Sequence, residues 1–324
     1  MIADTDTPRT VPELTGAATT ITLLDGRKLA FAEYGDPVGV PFLFMHGIPS
    51  SRLAGGLIHD GACRRGARII APDRPGYGAS DPQPGRTILA WPADVAELMD
   101  TLGLERVGVL GISGALPYVL ACTLAIPERL TRVAILSGLG PLNVPGVLDG
   151  MNPGTAALYR IALRSPRLGR VWMKMLAQSA KRSPGAVYRR QLSYLPDVDR
   201  VLFDDPAVRE LRMSDFAEAF RQGSAAAAAE AVLHVTDWGF TLADVTFDVL
   251  LWQGTEDRHH PSSMGRYLEQ ALPAGRAIYA EGAGAFGFIA RMDAIFEALS
   301  MNTWATVFEP SGHATVATTE DGHE

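Results

Sequence analysis

Six short apolar runs alternate with helix-like segments along this chain of 324 residues, and the alternation restricts its fold more than any other feature. The runs lie at positions 42–45, 67–70, 107–110, 133–136, 249–252 and 277–279. Continuous apolar runs are typical of strands that are buried on both faces of a parallel sheet. Helix-like stretches, such as 93–102 and 115–125, separate the runs. The pattern predicts an α/β architecture with helices packed on a mostly parallel sheet.

A hairpin signal precedes these runs, and a long helical block interrupts them. Asp25-Gly26 joins the apolar stretches 20–24 and 28–32 and predicts a tight turn between two further strands. From 141 to 240 the strand-like runs stop, and prolines divide the sequence into several predicted helices. We expect this block to be a lid inserted between two halves of the sheet rather than a separate folding unit.

Composition and charge exclude several classes of protein. Hydrophobic residues make up 47% of the chain, which is too many for a disordered protein. The formal net charge is −7, whereas a nucleic-acid binder usually shows a basic excess or a basic stripe, and the charge balance predicts neither. The polar, acidic N-terminus predicts no signal peptide, and no apolar stretch is long enough to span a bilayer. We therefore expect a cytoplasmic protein with no nucleic-acid or membrane partner; a homodimer is left open.

The segment Gly111-Ile112-Ser113-Gly114-Ala115 follows one apolar run and opens a predicted helix. This is the context of a nucleophile elbow, whose consensus is Gly-x-Ser-x-Gly. Its strained turn exposes the serine hydroxyl above the edge of the sheet, and small residues on either side let the strand and the helix approach closely. Ala115 departs from the final glycine of the consensus by one methyl group. The motif makes Ser113 a candidate nucleophile.

Three further segments follow strand-like runs. They are His46-Gly47-Ile48-Pro49, the glycine-rich stretch 73–81, and Gly254-Thr255-Glu256-Asp257. Together with the elbow, they make the chain resemble the α/β-hydrolase family, in particular its lidded, single-domain serine esterase-like branch, from about residue 24 to residue 299. The order of serine before aspartate along the chain also fits this family better than the other serine-hydrolase folds.

The resemblance implies an α/β-hydrolase fold with an eight-stranded, mostly parallel sheet, helices on both faces and an inserted helical lid. It divides the chain into an N-terminal extension (1–17), a core (18–140 and 241–300), a lid (141–240) and a mobile tail (301–324). It makes Ser113 the nucleophile and Asp257 the acid of a catalytic triad. The backbone N–H groups of Ile48 and Gly114 would form the oxyanion hole.

The histidine that completes such a triad is missing from its usual place. The segment 281–288 reads Glu-Gly-Ala-Gly-Ala-Phe-Gly-Phe, and Ala285 occupies the position at which the family carries its general base. One explanation is a deliberately inactivated variant, which the otherwise intact motifs favour. Another is a natural relative that has lost hydrolysis and kept the pocket. In both cases we expect the chain to be inactive or strongly impaired as a hydrolase.

A third explanation is that another histidine replaces the missing one. His259 and His260 directly follow the acid, and His46 lies in the predicted oxyanion segment. We give this explanation the least weight, because His259 and His260 leave the sheet from the strand that carries the acid. A polar loop before a helix that starts with proline is the simpler interpretation of this pair. His46 is expected to shape the turn beneath the oxyanion loop.

Aromatic residues in the predicted lid suggest an apolar pocket roof. The expected pocket residues are His46, Trp172, Phe220, Trp238 and Phe286. Such a pocket would suit a small hydrophobic acyl or ring-bearing substrate. The sequence contains no phosphate-binding glycine loop, no His-Glu-x-x-His helix and no Cys-x-x-Cys pair, so we expect neither a cofactor nor a metal. The two cysteines, Cys63 and Cys122, are expected to be buried thiols.

These motifs lead to one functional hypothesis and one alternative. The hypothesis is a serine hydrolase of the α/β-hydrolase family that acts on a carboxylic ester, lactone or similar acyl compound. The alternative is a protein on the same scaffold that binds a small molecule or acts as a cofactor-free lyase or cyclase. Restoring the base by Ala285→His separates them, because only a disabled hydrolase should recover.

Overall fold

The computed structural model describes residues 16–300. Its strands are β1 (Thr19–Thr22), β2 (Lys28–Gly35), β3 (Val40–Met45), β4 (Ala67–Pro72), β5 (Val107–Ile112), β6 (Leu130–Leu136), β7 (Val249–Gly254) and β8 (Gly275–Ala280). They form one sheet in the order β1-β2-β4-β3-β5-β6-β7-β8. The pairs β1–β2 and β2–β4 are antiparallel, and all the other pairs are parallel. The predicted hairpin and the mostly parallel, eight-stranded sheet are confirmed.

Helices follow most strands, and a block of helices lies between β6 and β7 in the sequence. They are α1 (His59–Arg64), α2 (Trp91–Thr101), α3 (Leu116–Ala125), α4 (Pro153–Arg164), α5 (Pro166–Arg182), α6 (Pro184–Leu192), α7 (Asp197–Arg200), α8 (Pro206–Ala219), α9 (Ala225–Leu233), α10 (Ser262–Ala271) and α11 (Met292–Ser300). We call α4–α9 the inserted helices. The closing helix α11 begins at Met292, after a loop and a short 3-10 turn, Ile289–Arg291.

Two apolar cores lie on opposite faces of the sheet. Alternate residues of β5 show this, since Val107 and Val109 pack on one side and Leu110 and Ile112 on the other. Helices α2, α3 and α10 cover the first face, and α1 and α11 cover the second. All six residues of β5 are buried, which explains its continuous apolar sequence.

A third apolar cluster lies within the inserted helices. It joins α5, α8 and α9 through side chains that include Met173, Phe216 and Phe220, and it also contains Tyr77 from the core. The predicted extension and tail fall largely outside the described residues. Of the two cysteines, Cys122 is buried as expected, but Cys63 is exposed, because it lies on the outer side of the short surface helix α1. No helix within residues 16–300 is long and apolar enough to cross a membrane.

Candidate active site

Ser113 lies on a sharp turn between β5 and α3. Its φ angle is +56°, in the left-handed region that side chains other than glycine rarely adopt. Gly111 permits the close crossing of strand and helix, because a Cβ atom there would lie 2.6 Å from a methyl group of Val119. Strained backbone of this kind concentrates at functional sites. The segment therefore has the geometry of the predicted elbow.

The segment after β3 packs directly against this turn. A Cβ atom on Gly47 would lie 3.3 Å from the Cβ of Ser113, and a Cβ atom on Gly114 would lie 2.4 Å from the side chain of Ile48. The N–H group of Ile48 donates to no acceptor in the described part of the chain. The two backbone positions predicted to form an oxyanion hole are thus neighbours beside the serine.

His260 lies within hydrogen-bond distance of the serine. The distance from its Nε2 to Ser113 Oγ is 3.0 Å. On the other side of the ring, Nδ1 lies 3.7 Å from Oδ2 of Asp257. Both of these atoms are buried, and neither has a hydrogen-bond partner among the described residues. In space the histidine lies between the serine and the aspartate, as in a catalytic triad. This histidine, however, follows β7 and not β8.

The loop after β7 turns back because the side chain of Asp257 binds backbone N–H groups of the residues that follow it. Oδ1 of Asp257 accepts the N–H groups of His259 at 2.7 Å and of His260 at 2.9 Å. Burial raises the pKa of Asp257, but the nearby ring of His260 and the hydrogen bond from the His260 backbone N–H outweigh burial, so this pKa lies below its usual value. From the sequence, His260 had little weight as the base, because it leaves the sheet from the strand that carries the acid; this turn nevertheless brings it within 3.0 Å of the serine.

Unlike that of His260, the ring of His259 forms no hydrogen bond with the serine. It lines the same cavities as Ser113, and its Nδ1 has no partner within the described residues. Burial lowers the pKa of His259 to about 4, and Asp257 opposes this effect only in part. The ring is therefore neutral at pH 7.

Ala285 faces the same cavity as Ser113 but contributes no functional side-chain group. Its carbonyl oxygen accepts a hydrogen bond from Ser137 Oγ at 3.0 Å. The adjacent Phe286 N–H donates to Oδ1 of Asp199 at 3.2 Å, and Gly284 packs so closely on this carboxyl that a Cβ atom there would lie 2.2 Å from Oδ2. A carboxyl from the inserted helices therefore packs beside the loop in which the family carries its histidine.

Two cavities meet at Ser113. The smaller, of about 140 Å³, lies against Ala285, Phe286 and Arg212. The larger, of about 320 Å³, lies beneath the inserted helices and is mostly apolar. Arg212 is the charged side chain of the smaller cavity, where it stacks 5.2 Å from the ring centre of Phe286 and pairs with a buried aspartate.

The expected pocket residues divide into two groups. Phe286 lines the smaller cavity and Trp172 the larger one. Phe220, Trp238 and His46 line neither cavity. Phe220 packs in the cluster within the inserted helices, and Trp238 packs on the core, because in each case neighbouring apolar side chains bury the aromatic ring. His46 is fully buried; its Nδ1 lies 2.8 Å from the carbonyl oxygen of Gly47, and its Nε2 accepts the N–H of Arg74 at 3.2 Å.

A buried ion cluster holds the segment after β3. Arg74 donates from Nη1 to the carbonyl of His46 and from Nη2 to the carbonyl of Gly47 at 2.9 Å. The Gly47 carbonyl belongs to the same planar peptide unit as the N–H of Ile48, so fixing the oxygen also fixes the direction of the N–H.

Glu230 of α9 supplies the counter-charge. Its carboxylate accepts from Arg74 Nε at 2.6 Å and Nη2 at 2.9 Å, from Arg86 at 2.8 Å and from the Tyr77 hydroxyl at 2.9 Å. Burial raises the pKa of Glu230, but the two guanidinium groups outweigh it and hold the pKa well below its usual value. Sequence reasoning missed this residue; the single acidic residue in the alanine-rich stretch 225–231 was the available signal.

Comparison with known proteins agrees with this architecture. The family model described as "alpha/beta hydrolase fold" matches residues 40–291, so the chain belongs to the α/β-hydrolase family. A non-heme chloroperoxidase of Streptomyces lividans is 32% identical over 46% of this chain and 55% of the relative, so the match spans about half of that relative. A 2-hydroxy-6-oxononadienedioate/2-hydroxy-6-oxononatrienedioate hydrolase of Cupriavidus pinatubonensis is 26% identical over 64% of this chain and 66% of the relative.

Solved structures show the same fold. An esterase from Thermogutta terrifontis superposes with a TM-score of 0.62 at 21% identity and covers 87% of this chain and 98% of its own. An enol-lactonase from Burkholderia xenovorans gives a TM-score of 0.61 at 19% identity over 87% of this chain and 98% of its own.

Within residues 16–300, no group of three or more His, Cys, Asp or Glu side chains is placed to hold a metal ion.

Replacing Glu230 tests the ion cluster. Glu230→Gln leaves two buried guanidinium groups without a counter-charge, so we expect the free energy of unfolding to fall by about 3–5 kcal/mol. Glu33→Gln removes a more exposed partner, that of Arg68, and should cost at most about 1 kcal/mol. Urea unfolding followed by circular dichroism measures both changes. Equal losses for the two variants would contradict the role of Glu230 as the counter-charge of two buried guanidinium groups.

Asp199 should make stability depend on pH. Burial raises its pKa to about 6, and the nearby charge of Asp257 adds to this effect. Between about pH 4 and pH 6 the unfolded chain ionises this carboxyl before the folded chain does, so the stability of the native protein falls relative to Asp199→Asn as pH rises. The difference should reach about 2–3 kcal/mol above pH 7. Unfolding curves across pH measure it, with the exposed Asp149→Asn as a charge-matched control. Parallel curves for native protein and Asp199→Asn would contradict the shift.

Proposed function

We propose that the protein is a serine hydrolase of carboxylic esters, lactones or similar acyl compounds, with His260 as its general base. The observation that carries this proposal is the 3.0 Å distance between Ser113 Oγ and His260 Nε2. A serine hydroxyl is a weak nucleophile until a base removes its proton, and a base must lie within hydrogen-bond reach to do so. The substrate would approach the serine from either apolar cavity.

The first chemical step is attack on the acyl carbon. Ser113 Oγ forms a bond to this carbon while His260 Nε2 takes the hydroxyl proton, and the carbonyl oxygen acquires a negative charge. The N–H groups of Ile48 and Gly114 would stabilise that charge. Collapse of the intermediate expels the alcohol, which receives the proton from His260, and water then releases the acid by the same sequence of proton transfers.

Asp257 would stabilise the imidazolium that forms on His260. Its Oδ2 is 3.7 Å from Nδ1, which is longer than a hydrogen bond, but both atoms are buried without another partner in the described chain. Hydrogen bonds of a catalytic site are often long without substrate and shorten when charge develops. The backbone N–H groups that hold Oδ1 keep the carboxylate in place for this contraction.

This proposal differs from the sequence expectation of an inactive chain. That expectation gave the least weight to another histidine replacing the one missing at Ala285, whereas His260 Nε2 lies 3.0 Å from Ser113 Oγ. A deliberately inactivated variant and a natural non-hydrolytic relative remain alternatives. The second would bind a small molecule in the two cavities or catalyse a lyase or cyclase step without covalent attack.

Replacing the two adjacent histidines separately tests the assignment of the base. His260→Ala should lower kcat for a short-chain p-nitrophenyl ester by about 10³-fold or more, because the serine loses its proton acceptor. His259→Ala changes a ring in the same cavities that does not touch the serine, so its effect should be far smaller. Steady-state kinetics on the folded variants measure both. Comparable losses, or full activity in His260→Ala, would contradict the proposal.

Introducing the family histidine separates the remaining alternatives. If His260 is the base, the unaltered chain turns over the ester, and Ala285→His changes its rate little. In the background of His260→Ala, Ala285→His should recover part of the lost rate, since the new imidazole would face the cavity that contains Ser113. An inert native chain that gains activity with Ala285→His would support the inactivated variant. Inert, folded proteins in every case would favour the non-hydrolytic alternative.

A further inference from the structure

The inserted helices carry a charge pattern opposite to that of the whole protein. Between positions 151 and 196 the sequence has nine basic residues and no acidic residue, although the chain has a net charge of −7. The nine are Arg160, Arg164, Arg167, Arg170, Lys174, Lys181, Arg182, Arg189 and Arg190. The overall charge balance predicted no basic stripe, and this local stretch corrects that prediction.

All nine basic side chains are exposed. None of them forms an ion pair with a carboxylate of the described chain; Arg190, for example, donates to the Tyr194 hydroxyl instead. The positive charges of helices α4 to α6 are therefore not neutralised from within residues 16–300. A concentration of one sign of charge on one surface attracts a partner of the opposite sign.

Helix α5 combines this charge with an exposed apolar ridge. Leu168, Val171 and Met175 are 57%, 54% and 62% exposed, and their spacing of three and four residues places them on one side of the helix. The opposite side of α5 is buried in the cluster through Met173 and Ala177. The ridge is thus a second apolar face, which the packing of the inserted helices does not use.

The ridge lies between the basic side chains and the larger cavity. At 100° per residue, Arg167, Lys174 and Lys181 fall on one flank of the ridge. On the other flank, Trp172 and Leu176 line the cavity that reaches Ser113, and Met175 belongs to both the ridge and the cavity lining. The apolar surface of the ridge is therefore continuous with the lining of this cavity.

We propose that α4, α5 and α6 form a docking surface for a lipid surface that carries anionic headgroups. Basic side chains bind such headgroups, and an adjacent apolar ridge can enter the boundary between headgroups and acyl chains. A nucleic acid would use the charges but leave the ridge exposed to water. This proposal departs from the expectation of no membrane partner, which rested only on the absence of a spanning segment.

Docking would bring the cavity of the proposed hydrolase to the lipid surface. An amphiphilic ester could then pass from the lipid into the cavity without crossing bulk water. This statement about the substrate rests on the proposed function, whereas the docking surface itself does not. Binding and hydrolysis are therefore measured separately.

Vesicle flotation with the full chain tests the docking surface. The protein should float with vesicles that contain phosphatidylglycerol and should not float with vesicles of pure phosphatidylcholine. It should dissociate from the first kind as salt is added. A basic side chain near such a surface strengthens binding about fivefold, so the triple variant Arg167→Glu, Lys174→Glu and Lys181→Glu should bind at least about 100-fold more weakly. Failure of the native chain to float with phosphatidylglycerol would overturn the proposal.

A second triple variant controls for net charge. Lys28→Glu, Arg266→Glu and Arg276→Glu change the charge by the same amount at exposed sites outside the inserted helices, and they should change binding by no more than about threefold. Equal losses in both triple variants would overturn the proposal, because attraction would then depend on net charge alone. The double variant Leu168→Ser and Val171→Ser keeps every charge and should weaken binding about tenfold through loss of the ridge.

Two further measurements complete the test. Duplex DNA that binds as tightly as the vesicles, with the same loss in the first triple variant, would show a general polyanion surface and overturn the lipid assignment. Hydrolysis of a soluble short-chain ester should be unchanged in that variant, because its three residues line neither cavity. Vesicle binding by a native chain that cannot hydrolyse any ester would support the docking surface and contradict the proposed hydrolase.

Discussion

The buried ion pair between Arg74 and Glu230 connects the parts of this molecule that must act together. Arg74 is fully buried after β4, and its planar guanidinium binds the inserted helix α9 through Glu230 and the segment after β3 through two carbonyl oxygens. It also stacks 4.8 Å from the ring centre of Tyr118, in the helix that follows the elbow. Because a buried charge is costly without its partner, the inserted helices, the predicted oxyanion segment and the elbow helix are held in one arrangement.

A second, local constraint decides the composition of the site. Asp257 uses one carboxylate oxygen to hold the backbone of the next residues, and the resulting turn brings His260 over the end of the sheet to Ser113. In the α/β-hydrolase family the base usually follows the last strand. Here the loop at that place carries Ala285 and packs against Asp199. Acid and base therefore lie three residues apart, and the loop after β8 is free of any role in proton transfer in the proposed mechanism.

The inserted helices have two distinct surfaces. Their inner side supplies Glu230 to the ion cluster and apolar side chains to the larger cavity. Their outer side has an excess of basic residues and a ridge of exposed apolar side chains on α5. A segment that only covered the core would gain nothing from exposing Leu168, Val171 and Met175 to water, so its outer side is the natural place to seek a partner.

The sequence by itself determined the eight strands, the hairpin, the elbow at Ser113 and the family, because each depends on local patterns of apolar residues, glycine and turn chemistry. It also located Asp257, which directly follows a buried strand. Only the tertiary structure decided which histidine reaches the serine, since the Asp257 carboxylate accepts two backbone N–H groups and so turns the loop that carries His260. The same holds for Glu230 and for Phe220 and Trp238, whose burial depends on which helix faces pack together. Contacts between residues far apart in sequence leave no periodic signal, and so the pairing of Arg74 with Glu230 was decided by the fold alone.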